Sequence, residues 1–258
     1  MPQPTALITG ASAGIGRELA KLFAQDHYNL VLVARTASRL SQLAAGFEQQ
    51  YGISAKPFAL DLASGAAPQF LFDQLERENI SVEVLVNNAG YGKLGAFSEV
   101  AYPESAGQID LNITALTHLT KLFLRPMLER KSGKILNVAS TAGFQPGPLM
   151  AVYYATKAYV ISFSEALANE LQGTGVTVTC LCPGATDTEF QTRAGTEQTT
   201  LLRKMRPMEA SEVARDGYRA LLKGKPLVIS GLRNRLLMES LRISPRRVVT
   251  AVSRKFLE

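Results

Sequence analysis

The chain has 258 residues, 46% of them hydrophobic, which is enough for one large α/β domain or two small ones around a substantial core. Its net charge of +6 is uneven: residues 1–202 contain 14 Lys and Arg against 17 Asp and Glu, whereas residues 203–258 contain 14 against 5. No basic patch interleaved with aromatic residues accompanies this charge, which argues against a nucleic-acid-binding protein.

The first predicted elements are a strand over residues 6–9, a glycine-rich turn, and an amphipathic helix over residues 15–25. The turn contains Gly10, Gly14 and Gly16. Glycines allow a pyrophosphate to approach the backbone closely, and the free N–H groups of a helix N-terminus favour its negative charge. The turn therefore predicts a dinucleotide site; a glycine-rich turn without a ligand is the alternative.

The second predicted strand, Asn29–Ala34, is almost continuously apolar and is followed by Arg35 and, four residues later, Arg39. Sites that prefer NAD usually place Asp or Glu near this point to bind the ribose 2′-OH, whereas a guanidinium group suits a 2′-phosphate. We therefore expect NADP(H) rather than NAD(H). The alternative is that both arginines simply cover the exposed start of the next helix.

Strands and helices alternate through the rest of the chain, with further strands predicted at residues 55–59, 82–86, 134–139, 176–181 and 227–230. This alternation favours a Rossmann-like, doubly wound parallel sheet of about seven strands with helices on both faces. We assign residues 1–231 to this single dinucleotide-binding and catalytic domain. Ligands bind at the carboxyl ends of such strands, where the NNAG motif at 87–90 and Ser140 occur.

A predicted helix that ends near residue 171 contains Tyr153 and Lys157, whose spacing of four places them on one face. A neighbouring positive charge favours a phenolate, so we expect the pKa of Tyr153 to fall toward neutral pH, where it could exchange a proton with a reacting oxygen. The alternative is that Tyr153 is only a half-buried aromatic residue.

The sixth strand contains both cysteines, Cys180 and Cys182, which are too close together in an apolar run to cross-link the fold. No His or Cys partners complete a metal site. We expect buried thiols in a reducing compartment and no metal. Because we find neither a signal peptide nor about 18 consecutive apolar residues, we predict a cytoplasmic location.

Six motifs, in chain order, resemble those of the short-chain dehydrogenase/reductase superfamily in its short, single-domain form. They are TGASAGIG at 9–16, NNAG at 87–90, Asn112 in DLNITA, Ser140 in NVASTAG, Tyr153 with Lys157 in YYATK, and Pro183 with Gly184. The resemblance covers roughly residues 5–230. It implies an NADP(H)-dependent oxidoreductase that interconverts a carbonyl and an alcohol, commonly as a homodimer or homotetramer.

The resemblance also implies residue roles. Ser140 would bond the substrate oxygen, Tyr153 would move the proton, Lys157 would lower the Tyr153 pKa and hold the nicotinamide ribose, and Asn112 would anchor a water relay. The implied cofactor contacts, besides Tyr153 and Lys157, are Gly10, Ser12, Gly14, Ile15 and Gly16 at the pyrophosphate, Asp61 and Leu62 at the adenine, Asn88, Ala89 and Gly90 at the adenosine ribose, and Pro183, Gly184 and Thr188 at the nicotinamide. Ala13 stands where some NADP-using members have a basic residue, so the 2′-phosphate would depend on Arg35 and Arg39.

The expected substrate pocket is bordered by residues 91–97, 144–150 and Phe190, which are largely apolar. No evident arginine is placed there to bind a carboxylate, so we favour a hydrophobic ketone or aldehyde. A reductase of 3-oxoacyl thioesters is an alternative, and a non-catalytic dinucleotide-binding sensor or scaffold is another, although the Ser, Tyr and Lys set is intact. Residues 188–206 lack periodicity and are expected to form a mobile lid.

The remaining residues, 232–258, form a basic amphipathic extension that Pro245 splits into two segments. Such a segment can pack on its own domain, on a partner subunit, or weakly on an anionic membrane surface. The sequence leaves these alternatives open.

Overall fold

Seven parallel strands form the main sheet. In the computed structural model, which describes residues 3–200 and 206–258, they are β1 Thr5–Thr9, β2 Asn29–Ala34, β3 Ala55–Ala59, β4 Val84–Asn87, β5 Gly133–Val138, β6 Val176–Cys182 and β9 Leu227–Ile229. A separate pair consists of β7 Thr186–Asp187 and β8 Met208–Glu209. The order of the main sheet is β3-β2-β1-β4-β5-β6-β9. The predicted doubly wound parallel sheet is therefore confirmed.

Helices cover both faces of this sheet. They are α1 Gly14–Gln25, α2 Ala37–Tyr51, α3 Ala67–Arg77, α4 Tyr102–Ile109, α5 Leu116–Glu129, α6 Ala151–Glu170, α7 Phe190–Ala194, α8 Ala210–Leu222, α9 Leu232–Leu241 and α10 Arg246–Leu257. Within β1, Ala6 and Ile8 pack in the hydrophobic cluster that includes α1, α2 and α8, while Leu7 packs in the cluster that includes α3 and α5. Since successive side chains of a strand point to opposite faces, a strand covered on both must be apolar throughout.

A buried polar network ties α6 to the centre of the sheet. Asn87 Nδ2 donates to Asn137 Oδ1 at 2.9 Å, and Asn137 Nδ2 donates to Ser164 Oγ at 3.0 Å. Both amide side chains are almost completely buried. Polar groups in such a place need partners, so the network fixes α6, which carries Tyr153 and Lys157, against β4 and β5.

The sheet order reverses between β1 and β4, and their carboxyl ends border a crevice there. The Thr9 hydroxyl joins the two strand ends: it donates to the Val86 carbonyl at 3.2 Å and accepts from the N–H groups of Asn88 and Ala89 at 2.9 and 3.0 Å. This one side chain therefore positions the NNAG turn beside the glycine turn.

Some element bounds differ from the sequence predictions. β4 begins at Val84 rather than at residue 82, and β5 ends at Val138, so Ser140 lies two residues beyond it. The predicted lid, residues 188–206, contains the short helix α7 and is bracketed by β7 and β8. Strands of two residues are too short to give a periodic signal, which is why the sequence does not predict them. Residues 201–205 of the lid lie outside the described residues.

Cys180 and Cys182 are free, fully buried thiols with their Sγ atoms 3.8 Å apart, which matches the predicted buried thiols. Among residues 3–200 and 206–258, no group of His, Cys, Asp and Glu side chains is arranged to hold a metal ion. Over the same described ranges, every helix is too short or too polar to cross a bilayer.

Candidate active site

The glycine turn forms a close cradle at the N-terminus of α1. Gly10 and Gly14 have φ values of +66° and +53°, a region that side chains other than glycine rarely adopt. A Cβ atom on Gly16 would lie 2.4 Å from the Gly10 carbonyl oxygen. No side chain caps α1, and its first turn has no acidic residue. The free N–H groups and the space left by the missing side chains fit a pyrophosphate.

Beyond the cradle, Arg35, Asp61 and Leu62 line the cavity at the ends of β2 and β3. Arg39 does not line it. Instead, Arg39 Nη1 donates to Glu189 Oε1 at 2.9 Å, and Glu189 also pairs with Arg193. The hydrogen bond from Arg39 lowers the pKa of the Glu189 carboxyl below its ordinary value. Glu189 is not predicted from the sequence because it lies 150 residues from Arg39.

Ser140 and Tyr153 meet at the wall of this cavity. Ser140 caps the short 3₁₀ turn Thr141–Phe144, where its Oγ accepts from the Ala142 N–H at 3.1 Å. Its hydroxyl donates to the Pro183 carbonyl at 3.4 Å, and it lies near enough to the Tyr153 phenol to act on the pKa of that group. Tyr153 is only 8% exposed. Two hydroxyl groups therefore face the cavity side by side, as a site that binds one oxygen atom requires.

Lys157 lies one turn farther along α6. Its Nζ donates to the Val138 carbonyl at 2.9 Å and lies 5.8 Å from the centre of the Tyr153 ring. Burial lowers the pKa of Lys157 to about 8. The ammonium is thus held beneath the Tyr153 ring by the end of β5.

The predicted lowering of the Tyr153 pKa is not what the structure shows. Burial raises the pKa of Tyr153 above its ordinary value, and the nearby Ser140 hydroxyl only partly opposes that effect. The sequence shows that a charge lies four residues away, but it does not show how deeply the phenol is buried, and burial has the largest effect on its pKa here.

Asn112 lies just outside the cavity lining, in a π-helical segment, Asp110–Ala115, between α4 and α5. Its Nδ2 donates to the Tyr91 carbonyl at 2.9 Å and to Thr156 Oγ1 at 3.0 Å, while its Oδ1 accepts from the Tyr91 N–H at 3.1 Å. A Cβ atom on Gly90 would lie 3.0 Å from Asn112 Oδ1 and 3.3 Å from Lys157 Nζ. Asn112 therefore braces the NNAG turn against α6.

Most residues assigned by the resemblance line one continuous cavity of about 920 Å³. Those that line it are Gly10, Ser12, Gly14, Ile15, Arg35, Asp61, Leu62, Asn88, Ala89, Gly90, Ser140, Tyr153, Lys157, Pro183, Gly184 and Thr188. Gly16, Arg39 and Asn112 do not line it. Of the expected substrate rim, Tyr91, Met150 and Phe190 line the cavity, whereas Phe97 is 70% exposed and does not.

The tail supplies a wall that the sequence analysis did not predict. Met238 and Leu241 of α9 and Val249 and Leu257 of α10 line the same cavity as the glycine turn. Leu257 packs in a buried cluster that includes Tyr153 and Tyr154 of α6. The sequence shows that the tail mixes apolar and basic residues, but it does not show which surface covers the apolar ones.

Comparisons with known proteins agree with this arrangement. The family model described as short chain dehydrogenase matches residues 4–199. A very-long-chain 3-oxoacyl-CoA reductase of Phaeosphaeria nodorum is 40% identical over 180 residues, covering 68% of this chain and 53% of the relative. Sulfoacetaldehyde reductase 2 of Chromohalobacter salexigens is 37% identical over 214 residues, covering 81% and 84%.

Among solved structures, a short-chain dehydrogenase from Sphingobium yanoikuyae in complex with NADPH superimposes with a TM-score of 0.84 at 34% identity, covering 93% of this chain and 92% of the other. The chain spans only about half the length of the 3-oxoacyl-CoA reductase. The family match extends over most of the sheet, the cradle and the Ser, Tyr and Lys residues of the cavity. The chain therefore belongs to the short-chain dehydrogenase family.

Proposed function

We propose that the protein uses NADP(H) to interconvert a hydrophobic ketone or aldehyde and its alcohol. One observation carries this proposal: Ser140 and Tyr153 line the same cavity as a dinucleotide cradle, together with a largely apolar chamber. A carbonyl placed there has two hydroxyl donors at its oxygen. Reduction concentrates negative charge on that oxygen, so these donors stabilise the transition state more than the substrate.

The nicotinamide, when bound, supplies or accepts the hydride. The protein supplies the proton. Because burial keeps the Tyr153 phenol protonated at neutral pH, Tyr153 is ready to donate to the developing alkoxide in the reduction direction. Donation leaves a buried phenolate, and the Lys157 ammonium, 5.8 Å from the ring centre, offsets that charge.

The residues at the adenosine end favour NADP(H). Arg35 lines the cavity directly after β2, where an NAD site usually has an acidic residue. Arg39 pairs with Glu189, which lines the same cavity. The similar Sphingobium dehydrogenase was solved in complex with NADPH, which supports the same choice here.

A second candidate is the reduction of 3-oxoacyl thioesters. Two observations favour it: the Phaeosphaeria relative is named for this reaction, and the chamber has an apolar wall that would suit an acyl chain. A non-catalytic sensor is disfavoured because the Ser, Tyr and Lys set stands together in the cavity. Assembly as a homodimer or homotetramer and a cytoplasmic location stay predictions.

The test is the initial rate of NADPH oxidation, with NADH in parallel, over short, aromatic and long-chain ketones and 3-oxoacyl thioesters. We expect Tyr153→Phe to lose roughly 10²- to 10⁴-fold in kcat, the usual contribution of a positioned acid. Tyr159→Phe is the matched control, because Tyr159 lies on the same helix but its hydroxyl faces Thr117 on the surface. Full activity in Tyr153→Phe would show that another group donates the proton.

A further inference from the structure

Helix α9 has apolar residues on two opposite faces. Met238 and Leu241 line the cavity, and Met238 is only 4% exposed. Leu232 and Leu236 are 73% and 63% exposed. At 3.6 residues per turn they lie only about 40° apart around the axis, whereas Met238 lies about 200° from Leu236. Leu232 and Leu236 therefore form an outer face that nothing in the chain covers, among the residues that the structure describes.

The turn between α9 and α10 extends this face. Ile243 lies there, directly after the end of α9, and is 89% exposed, more than any other large hydrophobic residue of the described ranges. We call Leu232, Leu236 and Ile243 the outer apolar face. An apolar side chain exposed to this extent is ordinary when isolated, but three that continue one helical face indicate a contact surface.

The charge around the outer apolar face is strongly positive. Residues 232–258 contain seven Lys and Arg and two Glu. The two glutamates already pair within the tail, Glu239 with Arg242 and Glu258 with Arg254. Four exposed arginines make no ion pair within residues 3–200 and 206–258: Arg233, Arg235, Arg246 and Arg247.

This positive charge distinguishes between two partners that could cover the outer apolar face, a second copy of the chain and a lipid surface. A second copy docked through the same face by two-fold symmetry would bring its own arginines against these, and like charges in an interface are unfavourable. An anionic lipid surface offers both requirements at once: acyl chains for the apolar residues and phosphate or carboxylate groups for the guanidinium groups.

The opening of the cavity lies on the same part of the molecule. Leu237, Val248 and Val252 line the cavity and are still 46%, 54% and 47% exposed, so they form an apolar edge to the opening between α9 and α10. A water-soluble substrate gains nothing from such an edge, whereas a lipophilic substrate can pass it without leaving an apolar environment.

We propose that the outer apolar face and its flanking arginines dock the protein peripherally on an anionic lipid surface, with the opening of the cavity beside it. The lipophilic character of the substrate rests on the proposed function, whereas the docking does not. Binding to lipid can be measured without turnover, so the two can fail separately.

The experiment is co-sedimentation of the full chain with phosphatidylcholine vesicles that contain or lack phosphatidylserine, at low and high salt. We expect binding only to the vesicles with phosphatidylserine, and release at high salt. The combined variant Leu232→Ser, Leu236→Ser and Ile243→Ser should lose at least about tenfold in vesicle affinity. In the control variant, Phe97→Ser and Tyr102→Ser remove comparably exposed aromatic side chains that do not belong to the tail, and they should leave binding unchanged.

A second variant allows the proposal to be tested even if the serine variant does not fold. Arg233→Gln with Arg235→Gln changes only exposed side chains. It should weaken binding to anionic vesicles by about 25-fold, at roughly fivefold for each arginine near the surface, without changing the NADPH affinity. The proposal is overturned if the wild type does not sediment with anionic vesicles at low salt. It is also overturned if the serine variant binds like the wild type, or loses only self-association, which would make this face an interface between copies.

Discussion

The ion pair between Arg39 and Glu189 makes a quantitative prediction about cofactor choice. Glu189→Gln removes a carboxylate that holds Arg39 away from a 2′-phosphate. The two side chains are 52% and 45% exposed, and ion pairs this exposed contribute about 0.2–1 kcal/mol. If binding of the 2′-phosphate must break this pair, the variant should bind NADPH about 1.4- to 5-fold more tightly. NADH lacks the 2′-phosphate, so its affinity should not change.

The assay is fluorescence titration of each reduced cofactor into wild type and variant at low ionic strength, where exposed charges are least screened. Glu197→Gln is the matched control: Glu197 lies on the same segment and accepts a hydrogen bond from Thr192 at 2.7 Å, but it does not contact Arg39. An equal change for both cofactors, or weaker NADPH binding in Glu189→Gln, would refute the idea that Glu189 competes for Arg39.

Three further predictions follow from the site and the core. The rate of carbonyl reduction, kcat/KM at saturating NADPH, should fall as the pH rises through about 8, because the Lys157 ammonium is charged below that pH and neutral above it; a flat profile to pH 9.5 would contradict this. Gly16→Ala forces a methyl group against the Gly10 carbonyl and should weaken NADPH binding by about tenfold or more. Gly46→Ala is the control, because its Cβ meets no atom within 4 Å, and it should leave NADPH binding unchanged. Equal NADPH titration curves for the two variants would show that the glycine turn does not bind the cofactor. Asn137→Ala removes two buried hydrogen bonds, although Asn87 keeps its bond to Thr120 and Ser164 its bond to the Val160 carbonyl. It should cost about 1–3 kcal/mol of unfolding free energy in urea, so an unshifted midpoint would show that the network is not stabilising.

Much of the fold could be predicted because it depends on local apolar patterns. Strands covered on both faces have to be apolar at successive positions, as in Leu30 to Val33, and such runs are visible in the sequence. The rule that ligands bind at the carboxyl ends of parallel strands then correctly brings Gly10, Asn88 and Ser140 to one cavity.

What could not be predicted depends on distance and burial. The pairing of Arg39 with Glu189 joins residues 150 positions apart, and no spacing rule reports it. The pKa of Tyr153 depends on desolvation, which the spacing of four to Lys157 does not reveal. Likewise, the apolar sides of α9 and α10 are visible in the sequence, but their position over the cavity depends on how the whole chain packs.

The small sheet formed by β7 and β8 has a consequence for how this scaffold can change. It holds together the two ends of a 20-residue segment, 188–207, that includes the Phe190 wall of the cavity. Once the ends of a loop are joined, each doubling of its length costs only about 0.6 kcal/mol in closure entropy. Insertions and deletions between β7 and β8 can therefore resize the cavity at little expense to the main sheet, which makes this segment the natural place for new substrate ranges to evolve.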